Sequence, residues 1–150
     1  LIHILEVMES VHLWKYVKKT YASEPYYNDI KSDYEVRPQY YAYSLLTRFI
    51  RPGAEIHPIA TPEEWYAGTA VRNTNGKWVY VFANGMDQEK AISLINQHTQ
   101  TKGNYQVYRY IKDGLPTTDQ MLAPDAQPLK VNDKILCLLP AHSVIVLKQE

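Results

Sequence analysis

Apolar positions recur along this chain at two periods, and the change from one to the other falls at Gly53. Near the start, Ile4, Leu5, Met8 and Val11 keep helical spacing and predict the end of a helix over Leu1 to about Ser10. In "VHLWKYVKK", Val11, Leu13 and Val17 alternate with His12, Trp14 and Tyr16, the pattern of a strand covered on both faces. Residues 19–36 hold no period and contain Pro25, Asn28 and Asp29, which predicts a long loop of the kind that is functional or disordered. Helical spacing then returns. Tyr41, Leu45 and Phe49, flanked by Ala42, Leu46 and Ile50, form an apolar stripe about 100° wide, with Thr47, Arg48 and Arg51 outside it. Pro38 suits a first helical position, where its missing N–H would be unpaired anyway. Pro52 disfavours helical geometry at Arg51 and Gly53 permits a left-handed exit, so a helix is predicted over 38–51. Arg37 is a poor N-cap.

After Gly53 the period drops to two. Candidate strands are Ala54–Ile59, Gly68–Arg72, Lys77–Ala83, Ala91–Asn96, Tyr105–Lys112, Leu129–Val131, Lys134–Leu139 and Ser143–Lys148. "NTNGK" offers an Asn75-Gly76 hairpin turn and "VNDKI" a two-residue Asn132-Asp133 turn. In "KWVYVFA", Trp78, Tyr80 and Phe82 share one face and Val79 and Val81 the other, as expected of a central strand. The fold class expected is mainly β with a short α/β N-terminal part: an antiparallel β-sandwich of about eight strands. The helical stripe has to be covered by those strands, or the chain will be sticky.

Composition narrows the choices of function. The 150 residues suffice for one ordinary core, and the sixteen basic and sixteen acidic side chains cancel, leaving no electrostatic footprint for nucleic acid or an anionic membrane. No stretch approaches the length of a membrane-spanning helix. The lone Cys137, in "KILCLLP", has no partner for an internal disulfide and reads as a small apolar strand residue. His3, His12, His57, His98 and His142 show no metal spacing, and His142 beside Ser143 is a neighbour in sequence, not a base with its nucleophile. No glycine-rich loop suggests a nucleotide, so no cofactor is expected. Thirteen tyrosines against two phenylalanines suit either carbohydrate grooves or half-buried strands. For Tyr80, Tyr105, Tyr108 and Tyr110 the structural role is expected.

Three stretches resemble a known family. "RPQYYAYSLLTRFIRPGAEI" is similar to the last helix and exit of the (β/α)8 barrel in retaining glycoside hydrolases like those of families 30 and 39, where a Pro, a Tyr pair and an ending like F-I-R-P-G recur. "YQVYRYIKDGLPTTDQML" and "LPAHSVIVL" resemble the terminal strands of the accessory sandwich of the same enzymes. The resemblance implies that residues 1–53 are the end of a barrel, with "ILEVMES" closing its seventh helix and "VHLWKYV" its eighth strand, and that 54–150 form the accessory β-sandwich. A complete barrel takes about 250 residues, so most of it would lie outside this chain. The initial Leu fits a start that is not the natural one. A secreted, periplasmic or lumenal location is expected from the family.

Retaining glycosidases use two carboxyl groups about 5 to 5.5 Å apart, one to move the proton of the glycosidic oxygen and one to attack the sugar carbon. The family places them on the fourth and seventh barrel strands, so no catalytic residue is expected here. Glu24, in "SEP", follows the wrong strand and has Ser where the family motif has Asn; it reads as a solvated loop carboxylate, as Glu6, Glu9, Glu63 and Glu64 read as surface charge. Trp14, at the end of an eighth strand, would face the sugar-binding mouth and stack on a pyranose, with Tyr16 on the same face; the bland alternative for Trp14 is a core position. The expected partners are a carbohydrate, through the parent barrel, and the barrel itself. The competing function is an independent carbohydrate-binding module using Trp65, Tyr66 or Trp78 as its platform, with Trp65 and Tyr66 equally able to plug against the barrel. A purely adhesive sandwich ranks below both, since it leaves the long-looped helical segment without a purpose.

Overall fold

A computed structural model describes residues 38–61, 65–95, 99–112, 114–115 and 121–150. The predicted strand and loop before residue 38 lie outside them, as do Arg37, Trp14, Tyr16 and Glu24. Among the described residues the order is one helix, α1 (Pro38–Phe49), then eight strands: β1 (Glu55–Ile59), β2 (Tyr66–Arg72), β3 (Trp78–Asn84), β4 (Lys90–Ile95), β5 (Gly103–Ile111), β6 (Leu129–Val131), β7 (Lys134–Leu139) and β8 (Ser143–Gln149). A 3-10 turn, Thr99–Thr101, precedes β5. All pairings are antiparallel. Six strands form one sheet in the order β1-β2-β3-β8-β5-β6, and β4 and β7 form a second.

The switch of period at Gly53 is a physical corner. Pro52 and Gly53 occupy the centre of a turn closed by Ala54 N–H donating to Arg51 O (3.1 Å), with Gly53 at φ 80°, the arrangement a type II turn requires. The helix stops two residues earlier than the pattern predicts. Asn73, on the turn between β2 and β3, donates from Nδ2 to Phe49 O (2.8 Å) and accepts the Arg51 N–H at Oδ1 (3.0 Å). A buried side chain 24 positions further on in the chain thus satisfies the end of the helix.

The stripe expected to need cover has it. Tyr41, Leu45, Leu46 and Phe49 pack against Ala67, Val71, Val79, Val81, Ala83, Val144 and Val146 on one face of the six-stranded sheet. Arg48 joins them by laying its guanidinium 5.2 Å from the Tyr108 ring centre and donating to Leu122 O (3.1 Å). The opposite face carries Tyr66, Tyr80, Phe82, Tyr105, Ile145 and Leu147 and meets Ile135, Cys137 and Leu139 of β7 with Ile92 and Leu94 of β4. β3 is buried along its whole length because it lies between two cores, as its alternating large and small side chains predict.

One turn expectation holds and one needs correcting. The expected Asn75-Gly76 hairpin turn joins β2 to β3: Asn73 N–H reaches Lys77 O (2.9 Å) and Gly76 N–H reaches Asn73 O (2.8 Å), with Gly76 at φ 77°. Three residues lie in the loop, and the glycine takes its left-handed last position. Asn132-Asp133 is not a hairpin turn at all, since β6 pairs with β5 and β7 pairs with β4. The dipeptide carries the chain from one sheet to the other, which local turn chemistry cannot distinguish from a hairpin.

A cleft at the open end of the sandwich

Two strands cannot cover one whole face of six. β4 and β7 lie over the middle of the large sheet, and beside edge strand β1 the face stays open as a cleft of about 350 Å3. Register decides which side chains line it. Glu55 pairs with Arg72 and Arg72 with Trp78, so these three form one row on the cleft face; His57, Ala70 and Tyr80 form the next. In the third row Gly68 stands between Ile59 and Phe82, and a Cβ there would meet both at 3.3 Å, a tight contact that glycine avoids. Leu94, Ile95, Gln100 and Thr101 form the facing wall.

That wall is tied to the sheet. Gln149 accepts the Trp78 backbone N–H at Oε1 (3.0 Å) and donates from Nε2 to Gln100 O (3.2 Å) and Lys102 O (3.3 Å). The Tyr105 hydroxyl donates to Thr101 O (2.8 Å), and the Thr101 side chain hydrogen-bonds Tyr80. Burial pushes the phenols of both Tyr80 and Tyr105 above the ordinary tyrosine range, so both remain neutral donors through neutral pH. At the mouth, Glu55 lies 3.6 Å from Arg72 and 3.9 Å from His57, and the His57 ring sits 5.4 Å from that of Trp78 at a tilt of 38°. Trp78 is 9% exposed, and its Nε1–H is buried without an acceptor among the described residues.

The aromatic platform expected of a binding module is largely absent. Tyr66 is 8% exposed and Trp78 9%, so neither offers a free ring face; Trp65, at 52%, is exposed. The adjacent pair divides because Tyr66 begins β2 facing the inter-sheet core, while Trp65 stands just outside the strand, its carbonyl accepting from Gly85 N–H (3.0 Å). Tyr80, Tyr105 and Tyr108 are buried and Tyr110 half-buried, the structural role expected of them. His142 and Ser143 are committed elsewhere: Nε2 of His142 lies 2.6 Å from Asp87 Oδ1, and the Ser143 hydroxyl donates to Pro140 O (2.6 Å). Cys137 is buried, and burial raises its thiol, keeping it a protonated apolar side chain. Among the described residues no three His, Cys, Asp or Glu side chains gather as a metal site. No described helix is long and apolar enough to cross a membrane. Trp14, Tyr16 and Glu24, the barrel-derived candidates, lie outside the described residues.

His57, Arg72 and Gln100 were not singled out from the sequence as cleft residues. The signal was present in part, because alternation counted outward from the β2–β3 turn puts Arg72 opposite Trp78. What alternation cannot show is where the smaller sheet ends.

The fold has solved counterparts. A GH30 endoxylanase from Clostridium papyrosolvens C71 superposes with a TM-score of 0.61 at 21% identity, over 77% of this chain and 28% of that one. A glycoside hydrolase family 30 subfamily 8 xylanase from Clostridium acetobutylicum gives 0.62 at 19%, over 76% and 28%, and a GH30 xylanase from Talaromyces cellulolyticus 0.59 at 20%, over 76% and 24%. This chain therefore spans little more than a quarter of the two clostridial enzymes, and it shares their fold over that part. No protein-family model matches the sequence, and no curated protein does.

Proposed function

We propose that this chain is the C-terminal part of a glycoside hydrolase that cleaves O-glycosidic bonds with retention, and that it supplies the non-catalytic β-sandwich on which the catalytic barrel packs. The observation that carries this is the order of elements: a helix ended by F-I-R-P-G, then eight antiparallel strands in two sheets, with a fold shared by part of several GH30 xylanases. On this reading residues 1–53 are the end of the barrel and 54–150 the accessory sandwich, with α1 as the seam, since its apolar stripe already shares a core with the sheet. Both catalytic carboxylates would come from barrel strands outside this chain. Trp14 and Tyr16, at the end of the eighth strand, would stack on sugar at the barrel mouth.

The test is an activity assay on the chain as it stands, with aryl xylosides, aryl glucosides and soluble xylan. No turnover is expected. Hydrolysis that survives purification and disappears in Glu24→Gln would overturn the proposal, because catalysis would then reside in this chain. The coding stretch upstream supplies a second check, where an Asn-Glu-Pro and a later strand-end Glu are expected.

A further inference from the structure

We infer that the cleft beside β1 is a binding site for a neutral, hydroxyl-rich ligand, one or two sugar rings of an oligosaccharide. Its volume of about 350 Å3 falls in the range of small-molecule sites, roughly 300–1,000 Å3. Its lining mixes apolar and polar groups in the manner a pyranose requires: Ile59 and Leu94 against ring carbons, and Gln100 and Tyr80 for hydroxyls.

The indole of Trp78 supplies the independent observation. A buried N–H is nearly always paired, yet this one, on a side chain more than nine-tenths buried in the cleft wall, has no acceptor among the described residues. A ligand hydroxyl seated in the cleft provides one. The half-exposed His57 ring lies beside it at the mouth, 5.4 Å from the indole ring.

Charge selects the class. Arg72 and His57 both face Glu55, so among the described residues the mouth carries charge of both signs and favours neither a phosphate or carboxylate nor an amine. Gln149 and Tyr105 already hold Gln100, Thr101 and Lys102 by their carbonyls, so this part of the wall is pre-formed. The site rests on this chain's own residues, and only the inclusion of a pentose among the probes rests on the proposed parentage.

The experiment is a titration of the isotope-labelled 150-residue chain with xylotriose, cellotriose and maltotriose, following the indole N–H resonances of its three tryptophans, assigned by single Trp→Phe variants. With at least one sugar, the Trp78 signal is expected to move downfield and saturate with a dissociation constant of about 1 mM. Gln100→Ala should weaken that response about fivefold, the loss of one hydrogen bond. Ala70→Leu, which fills the floor, should abolish it while the unfolding midpoint shows the variant still folded. Saturation by a hexose trimer alone also upholds the cleft, and the parentage stands or falls on the activity assay, so the two ideas fail separately. No movement of the Trp78 signal with any of the three, or a response lost in Trp65→Ala but kept in Gln100→Ala, overturns the cleft. Tighter binding of a trigalacturonate than of every neutral trimer overturns the choice of a neutral ligand.

Discussion

The same four inner strands present two unlike faces. Toward α1 they offer mostly small side chains, Ala67, Val71, Val79, Val81, Ala83, Val144 and Val146, with the Tyr108 ring of β5 against Phe49, and much of the bulk comes from the helix as Tyr41, Leu45, Leu46 and Phe49. Toward the small sheet they offer Tyr66, Trp78, Tyr80, Phe82 and Tyr105, and the cover is thinner, from Ile135, Cys137, Leu139, Ile92 and Leu94. A helix is a thick rod that brings its own large side chains, so most of what lies directly beneath it is small, and the large ring of Tyr108 packs beside Phe49. A two-stranded layer is narrow, so the large sheet must fill the gap with aromatic rings. Where the narrow layer ends, the rings line a cleft.

The sharpest way to break this contrast is to hollow the helical side. Leu45→Ala, at a position with no exposure, should cost about 2–5 kcal/mol in chemical denaturation, whereas His57→Ala at the cleft mouth should stay within about 0.5 kcal/mol. Equal effects would mean the two faces are packed alike. Next in size, Asn73→Ala removes the group that holds both Phe49 O and Arg51 N–H and should cost about 1–3 kcal/mol, lowering the urea midpoint without changing the slope.

Two substitutions on one strand sharpen the comparison directly. Ala67→Leu faces α1 and should cost about 1–3 kcal/mol by overpacking; Ala70→Leu, three residues along and facing the cleft, should cost less than about 1 kcal/mol because empty space lies above it. A larger loss at Ala70 would remove the cleft as an open volume. Alkaline pH acts on the aromatic face. The folded-state pKa of Tyr80 and of Tyr105 is raised above the usual 10.0 by burial, so the stability they contribute is complete below pH 10 and falls as pH rises through the folded values. Urea midpoints should therefore hold from pH 7 to 9 and decline above 10, and Tyr105→Phe should blunt the decline. Smallest of all, Glu55→Gln removes an exposed pair with Arg72 and should change stability by less than about 0.5 kcal/mol, less still in high salt.

The chain's local patterns were sufficient for most of the architecture. The eight strands lie where alternation predicts, each end shifted by at most two residues, because a strand's two faces are written in successive side chains. The helix and its exit were equally legible, since Pro52 and Gly53 act on the backbone next to them. The candidate site was legible only in pieces: Trp78 and Tyr80 were seen to share a face, but His57, Arg72 and Gln100 join them through pairings with other strands and the turn before β5.

Sequence by itself thus determined the periods, the corner at Gly53 and the central place of β3, all of which depend on neighbours within a few residues. Tertiary structure alone decided that Asn73 ends the helix, that Asn132-Asp133 crosses between sheets, and that two strands leave the third row's neighbours beside β1 uncovered. Those outcomes depend on which distant surfaces meet and how much area each can hide, and neither quantity is encoded in any one stretch of chain.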